Sequence, residues 1–341
     1  VEVVVAYLKE GRGSRFLRPD FEAEGIRVVP LGGERLFDPR CLMRLARLVR
    51  AEQPDLLHTH LPRADFAGAI MKLWASTIPW IASVHDIYSP HWSGSWSLPI
   101  FFLLWQRADR VIAISEAVKK WLVQEGGVPA RQVSVIHYGI ETKHFARPGA
   151  EAKEPVKLGS GPVIGSVGRL EPRKGHHTLI RAMPTILQEA PGARLLIAGH
   201  DPWGYGQTLQ ALIDKMGMAG CVQLVGFVQD VPSFLHGLDV FAFASRTEGF
   251  GQVVIEAMAA GKPVVASRIP PITEIVVNGE TGLLVEPDNP EAFAQAIVWL
   301  FHHPEEAKKM AEKGIQRVYH LFSAERMSEK ILRVYEQLLR R

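Results

Sequence analysis

The chain has 341 residues, enough for two domains of ordinary size. A content of 47% hydrophobic and 22% charged residues is that of a globular protein, and a net charge of +3 makes no case for nucleic acid. Cys41 and Cys221, the only cysteines, form neither a disulfide framework nor a metal-type cluster, which suits a reducing, cytoplasmic setting; no signal-type segment or run of 18 apolar residues is expected to act as leader or membrane span.

The charge is uneven. Residues 1–150 carry 19 Lys and Arg against 15 Asp and Glu, and the remainder carries 20 against 21, so the first half favours an acidic partner. The chain opens directly in VEVVVAYL, without a methionine, and a preceding stretch is expected.

Residues 1–8 and 25–31 are apolar, β-branched runs and read as buried strands. Between Asp38 and Gln53, Leu42, Leu45, Ala46 and Val49 recur at helical spacing, with Arg40, Arg44, Arg47 and Arg50 as a basic row. That row is a solvated face or a contact with anionic lipid or an acidic acceptor. Residues 55–58 read as a strand, followed by a polar turn and a helix. His58 and His60 have no third ligand nearby, so no metal site is expected.

Residues 80–86, WIASVHD, form a strand whose end carries His85. Side chains at the carboxyl ends of parallel strands face the ligand crevice, which favours a site role for His85 over a core role. Residues 91–105 are rich in aromatics, including Trp92, Trp96, Phe101, Phe102 and Trp105. Core packing, an acceptor loop and insertion at a membrane surface are the readings open there. A strand at 110–115, a helix at 116–124 and a strand at 134–140 complete an alternation that means a parallel sheet.

The Pro-, Gly- and Lys-rich residues 147–162 read as a linker, centred on 151–160, between domains at 1–150 and 161–322. Strands then recur at 162–170, 193–199, 221–228, 239–245, 263–267 and 282–287, with helices between and after them. The architecture repeats without a sequence repeat: two doubly wound α/β halves. Residues 323–341 form a last amphipathic helix.

Residues 243–267, FASRTEGFGQVVIEAMAAGKPVVAS, hold the most chemistry. Glu248 and Glu256 flank a Gly-Phe-Gly turn and a helix start. Free N–H groups and the positive dipole end of such a helix suit a phosphate, and a carboxylate, acceptor-only when ionised, suits hydroxyls. The arrangement fits a nucleotide sugar; the plainer reading is two glutamates at an ordinary helix start. In GSVGRLEPRKG, Arg169 and Lys174 follow a strand end and could neutralise a diphosphate without a metal, or could be ordinary surface charges. GSGPVIG precedes its strand, so it fails as a dinucleotide fingerprint and argues against a nicotinamide dehydrogenase.

GRLEPRKG, the AG-to-VGFV segment, SRTEGFGQVVIEAMAAGKPVVAS, TGLLVEP and the terminal helix together resemble a retaining glycosyltransferase of family 4. HTHLPRADFAG, SVHD, AIS and VIHYGI are similar to the first domain of that family. The resemblance implies an α/β, GT-B fold: two Rossmann-like doubly wound parallel-sheet domains facing a cleft, with the last helix packing back on the first.

It also implies roles. Arg169, Lys174 and the backbone of Phe250, Gly251 and Gln252 would bind the donor diphosphate. Glu248 would hold the sugar hydroxyls and Glu256 the ribose. Gly199, Gly226, Phe227 and Val228 would hold the base, and His85 would lie near the anomeric carbon. No cofactor and no metal are expected. The partners would be a nucleotide-diphosphate sugar, a hydroxyl acceptor (glycan, polyprenyl-linked glycan or lipid) and an anionic membrane surface at the inner face.

Three departures stand out. The family's first strand, Gly-rich loop and helix are missing before VEVVV, which predicts unpaired strand edges. SRIPPITEIV lacks the usual glycines, and Ala324 stands where an aromatic is common. The missing unit keeps a second reading in view, a non-catalytic nucleotide-sugar binder or scaffold.

Overall fold

The computed structural model describes residues 1–8, 17–33, 38–88, 97–147 and 161–340. Strands and helices alternate. The first series is β1 (Val4–Tyr7), α1 (Arg18–Ala23), β2 (Arg27–Pro30), α2 (Pro39–Glu52), β3 (Leu57–His60), α3 (Pro62–Trp74), β4 (Trp80–Val84), α4 (Ser97–Trp105), β5 (Arg110–Ala113), α5 (Glu116–Gln124), β6 (Val133–Val135) and α6 (Thr142–Phe145). The second is β7 (Val163–Val167), α7 (His176–Glu189), β8 (Arg194–Ala198), α8 (Tyr205–Lys215), β9 (Val222–Gly226), α9 (Val231–His236), β10 (Val240–Phe243), α10 (Gln252–Ala259), β11 (Val264–Ser267), α11 (Pro270–Ile275), β12 (Leu283–Val285), α12 (Pro290–His302), α13 (Pro304–Leu321) and α14 (Ala324–Leu339).

The first unit comprises Val1–Ile114, Val118–Val135 and Leu332–Arg341. Its strands form two parallel sheets, β1-β2 and β3-β4-β5-β6. All five residues of β4 are buried because it lies inside the larger sheet. The expectation of a buried first strand needs correction: no residue of β1 is fully buried and Ala6 is exposed. The cause is its pairing. Among the described residues β1 bonds only to β2, and a two-stranded sheet has no interior strand.

Asp38 caps α2 by accepting from the Arg40 and Cys41 amides, and Pro39 opens the helix. Cys41 and Leu45 then pack against Leu31, Ala67 and Met71. Arg40, Arg44, Arg47 and Arg50 lie on the exposed side, with Arg44 also donating to the Leu31 carbonyl at 2.8 Å. Within the aromatic stretch, residues 91–96 lie outside the described residues. Phe101 and Trp105 are buried, and Trp105 packs with Tyr88 and Trp121, so core packing holds for that part.

The second unit comprises Ser115–Ala117 and Ile136–Ile331. Residues 136–147 thus pack with the second unit although they precede the expected linker. Residues from 136 onward bond into the second unit: Ile140 donates to Phe322, Ala324 donates back to Ile140, and His236 binds the Phe145 carbonyl. Ser115–Ala117 joins them because the Glu274 carboxylate accepts from the Glu116 and Ala117 amides. The proposed linker, 151–160, lies outside the described residues.

The sheet order here is β12-β11-β10-β7-β8-β9, all parallel. The chain runs outward from β7 in one direction and from β10 in the other, so a topological switch point lies between these neighbours. One core holds Ile164, Leu179, Ile180, Met183, Ile197, Leu209, Val240, Phe293 and Ile297. The helical spacing of Leu179, Met183 and Ile186 gives α7 its buried face. Truncating any one of these to alanine costs about 2–5 kcal/mol. Among the described residues, no helix is long and apolar enough to cross a membrane.

Candidate functional site

Most sequence-predicted residues of the second unit lie at the carboxyl ends of β7, β8, β9 and β10. Arg169 and Lys174 follow β7, Gly199 follows β8, Gly226 ends β9 with Phe227 and Val228 after it, and Glu248 follows β10. The turn after β7 needs glycine at position 175. Its φ is +67°, and a Cβ there would meet the Ala244 carbonyl oxygen at 1.9 Å. That close approach brings Lys174 to β10.

Lys174 forms an ion pair with Glu248. Glu248 is buried and also accepts from the Ser245 hydroxyl at 2.7 Å, while the ammonium lies 5.8 Å from the centre of the Phe243 ring. The two residues expected to serve phosphate and sugar are thus each other's counter-ions. Arg169 is held differently. Its guanidinium lies 3.3 Å from Glu171, and the same oxygen accepts from Arg173 at 2.8 Å. The buried His176 contacts the Arg169 carbonyl through Nε2 at 3.3 Å. Burial holds the His176 imidazole down at about 4, so it stays neutral.

The Gly-Phe-Gly turn is anchored by its aromatic. The Phe250 side chain is buried and stacks on His137 at 5.6 Å, with Tyr138 and Phe322 at its edges. Only its backbone is left to serve a ligand. Gly251 has φ +98°, and a Cβ would meet Ile272 Cδ1 at 2.5 Å. No side chain caps α10, so its first N–H groups are available to an anion. On the first turn, Gln252 donates to Glu256 at 2.9 Å. Burial raises the Glu256 carboxyl, with Gln252 and then His144 opposing. Gly199 donates to the Gly226 carbonyl at 2.8 Å, which joins the ends of β8 and β9, and Phe227 is 68% exposed.

His85 belongs to the first unit, immediately after β4. Its Nε2 lies 3.0 Å from Nδ1 of His60. His60 stacks on His58, whose Nδ1 meets the Tyr335 hydroxyl at 2.6 Å and whose Nε2 meets the Ser83 hydroxyl at 2.8 Å. Burial first, then the neighbouring His60, pushes His85 down to about 4. Burial, His60 and His85 push His58 to about 3. The described residues hold no group of three or more His, Cys, Asp or Glu set to bind a metal.

Sequence reasoning missed Ser245, Glu171, His60 and Tyr335. Glu171 could have been found: an acid between two arginines, in a turn already chosen, has an evident task. Nothing in the sequence ties Tyr335 to His58, 277 residues away.

The chain superimposes on the crystal structure of Anabaena Alr3699/HepE in complex with UDP with a TM-score of 0.85 at 24% identity, covering 98% of this chain and 92% of that one. The fold is that of the GT-B glycosyltransferases. The protein-family model described as Glycosyltransferase Family 4 matches residues 1–144, and that described as Glycosyl transferases group 1 matches residues 150–317. The capsular polysaccharide biosynthesis glycosyltransferase CapM of Staphylococcus aureus is 26% identical over 337 residues, 94% of this chain and 87% of CapM. The lipopolysaccharide core biosynthesis mannosyltransferase LpsB of Rhizobium meliloti (strain 1021) is 31% identical over 243 residues, 69% of this chain and 67% of LpsB. The chain belongs to the family 4 glycosyltransferases, and it is a glycosyltransferase.

Proposed function

We propose that the protein transfers a sugar from a nucleoside-diphosphate sugar to a hydroxyl acceptor, with retention at the anomeric carbon and without a metal. One observation carries this reading: Arg169, Lys174 and the uncapped start of α10 lie at the carboxyl ends of β7 and β10, beside Glu248 and Glu256. Cations and N–H groups suit the diphosphate, and the flanking carboxylates suit hydroxyls. Glu248 positions the transferred sugar, Glu256 takes the ribose, and the ends of β8 and β9 take the base. His85 serves the transferred sugar. Leaving-group phosphate oxygen assists deprotonation of the acceptor.

The names of CapM and LpsB support an acceptor in a surface polysaccharide or lipopolysaccharide, and the UDP held by HepE supports a nucleotide donor. The exposed arginines of α2 and the exposed Ile100 and Leu103 of α4 suit an anionic membrane carrying a lipid-linked acceptor. A second reading, a non-catalytic nucleotide-sugar binder, draws on the division of the first unit's strands between two sheets.

Donor titration by calorimetry and initial rates with EDTA present separate these readings. Lys174→Ala and Glu256→Ala each weaken donor binding about tenfold or more, and Glu248→Ala mainly lowers turnover. Unchanged donor affinity in the first two variants sinks the site assignment. Donor binding without nucleotide release on any acceptor favours the binder.

A further inference from the structure

Trp203 has no place in the core. It is 63% exposed, in the loop between β8 and α8. Yet the loop around it is tied at both ends. The Gly168 amide donates to Ala198 and the Leu170 amide to His200, each at 2.9 Å, so residues 168–170 run against 198–200. Asp201 accepts from the Gly206 amide at 3.0 Å and closes the loop onto α8. The indole is thereby held over Arg169, whose guanidinium carbon lies 5.3 Å from the ring centre. Among the described residues, no other ring or cation stacks on it, and its exposure leaves the second face to solvent.

A second exposed ring stands nearby. The Gly199 amide bonds the Gly226 carbonyl, so Phe227 leaves β9 beside the start of the same loop. Phe227 is 68% exposed. Two large rings with free faces thus flank the end of the sheet next to a diphosphate cation. Leaving both rings in water is unfavourable for the empty protein, and a flat aromatic ligand relieves it.

We infer that Trp203 is a donor-recognition residue that stacks on the nucleobase with the face opposite Arg169. The inference rests on the nucleotide-donor reading above. One rigid ring then meets the base with one face and packs on the Arg169 guanidinium with the other, while Glu171 also holds that guanidinium in place. A ligand must carry base and diphosphate at the right separation to use both faces. Stacking also tolerates any base, so Trp203 contributes affinity for nucleotides as a class, and the backbone at Gly199 and Gly226 is left to choose among bases.

Calorimetric titration of the intact protein with UDP, GDP, ADP and pyrophosphate tests this on the wild type, Trp203→Ala and Trp203→Phe. The expected result is a loss of about tenfold or more in affinity for the bound nucleoside diphosphate in Trp203→Ala. Trp203→Phe stays within about threefold, pyrophosphate binding changes by no more than about twofold, and the melting temperature is unmoved because the side chain is exposed. Wild-type protein that binds none of the nucleotides overturns the donor reading itself. Nucleotide binding that is unchanged in Trp203→Ala overturns only the role of this ring. Equal losses for pyrophosphate and nucleotide show a ring acting only through Arg169, and overturn the stacking.

Discussion

Nδ1 of His60 and Nε2 of His85 lie 3.0 Å apart, so the two imidazoles share one proton. Whichever ring donates fixes the tautomer of the other, and the pair resists a second proton. The tautomer of His85 is therefore coupled to that of His60. Removing His60 frees the tautomer and removes the neighbour that helps hold His85 down near 4. His60→Ala should raise the His85 pKa toward 6.5 and move the acid limb of the pH–rate profile upward. His60→Gln, which keeps a polar partner, should restore part of the rate. NMR titration of the His85 ring with parallel pH–rate curves checks this; an unmoved His85 pKa in His60→Ala rejects the coupling.

The Lys174–Glu248 pair is buried, with side-chain exposures of 13% and 8%. Truncating one partner strands the other, so Lys174→Ala and Glu248→Ala each destabilise the empty protein by about 3 kcal/mol. The double variant Lys174→Ala/Glu248→Ala should lose much less than the sum of the two, since neither charge is left alone. Urea unfolding of the four proteins measures the coupling. Additive losses would mean that the pair contributes nothing in the folded state.

Two buried groups set opposite pH dependences. His176 titrates near 4, below its unfolded value of about 6.5, so its contribution is full above about 6.5 and is lost as pH falls toward 4. The loss is of order 3 kcal/mol. Asp65 is fully buried, accepts from Thr59 and Trp105, and is pushed up to about 7 by burial. Its folded pKa lies above its unfolded value, so its contribution is full below about 4 and fades as pH rises through 7. Asp65→Asn should gain on the wild type above pH 7 and not below pH 4. Thr59 can accommodate the amide by turning its hydroxyl to the Ile81 carbonyl, 3.3 Å away. Denaturant midpoints from pH 4 to 9 decide; equal curves for both proteins would show that Asp65 is not the alkaline group.

Ser267 is wholly buried at the end of β11, and its hydroxyl has no partner among the described residues. An unpaired buried hydroxyl carries a desolvation cost of about 1–3 kcal/mol. Ser267→Ala should therefore be neutral or stabilising by up to about 1 kcal/mol, against the usual direction of a core truncation. A loss of stability in thermal unfolding would reveal a bond to this hydroxyl.

Much of this was readable from the chain. Glycine between apolar runs marked the turn at Gly251, and cations just past a strand end marked Arg169 and Lys174, because local backbone geometry dictates those residue types. The Lys174–Glu248 pair was not readable: its members are 74 residues apart, and only the approach of Gly175 to Ala244 brings them together. The β1 error has a similar source. VVAY is apolar enough for an interior strand, but burial depends on how many strands flank it, which a local run does not encode. Linker composition at 151–160 carries no sign that Ile140 and Phe145, which precede it, bond to Phe322 and His236 of the second unit.

On the proposed donor reading, the phosphate seat carries its own plug at rest. With Glu248 lodged on Lys174, the ammonium is already satisfied, and an arriving anion has to evict a tethered competitor whose local concentration never falls. Inorganic phosphate, with few other points of purchase, is poorly equipped to do so. The proposed donor, a nucleoside-diphosphate sugar, would bring a second phosphate for Arg169 and hydroxyls that would give the displaced carboxylate somewhere to go. The enzyme is thus expected to ignore the common small anions of its surroundings at concentrations that would crowd an open cationic pocket.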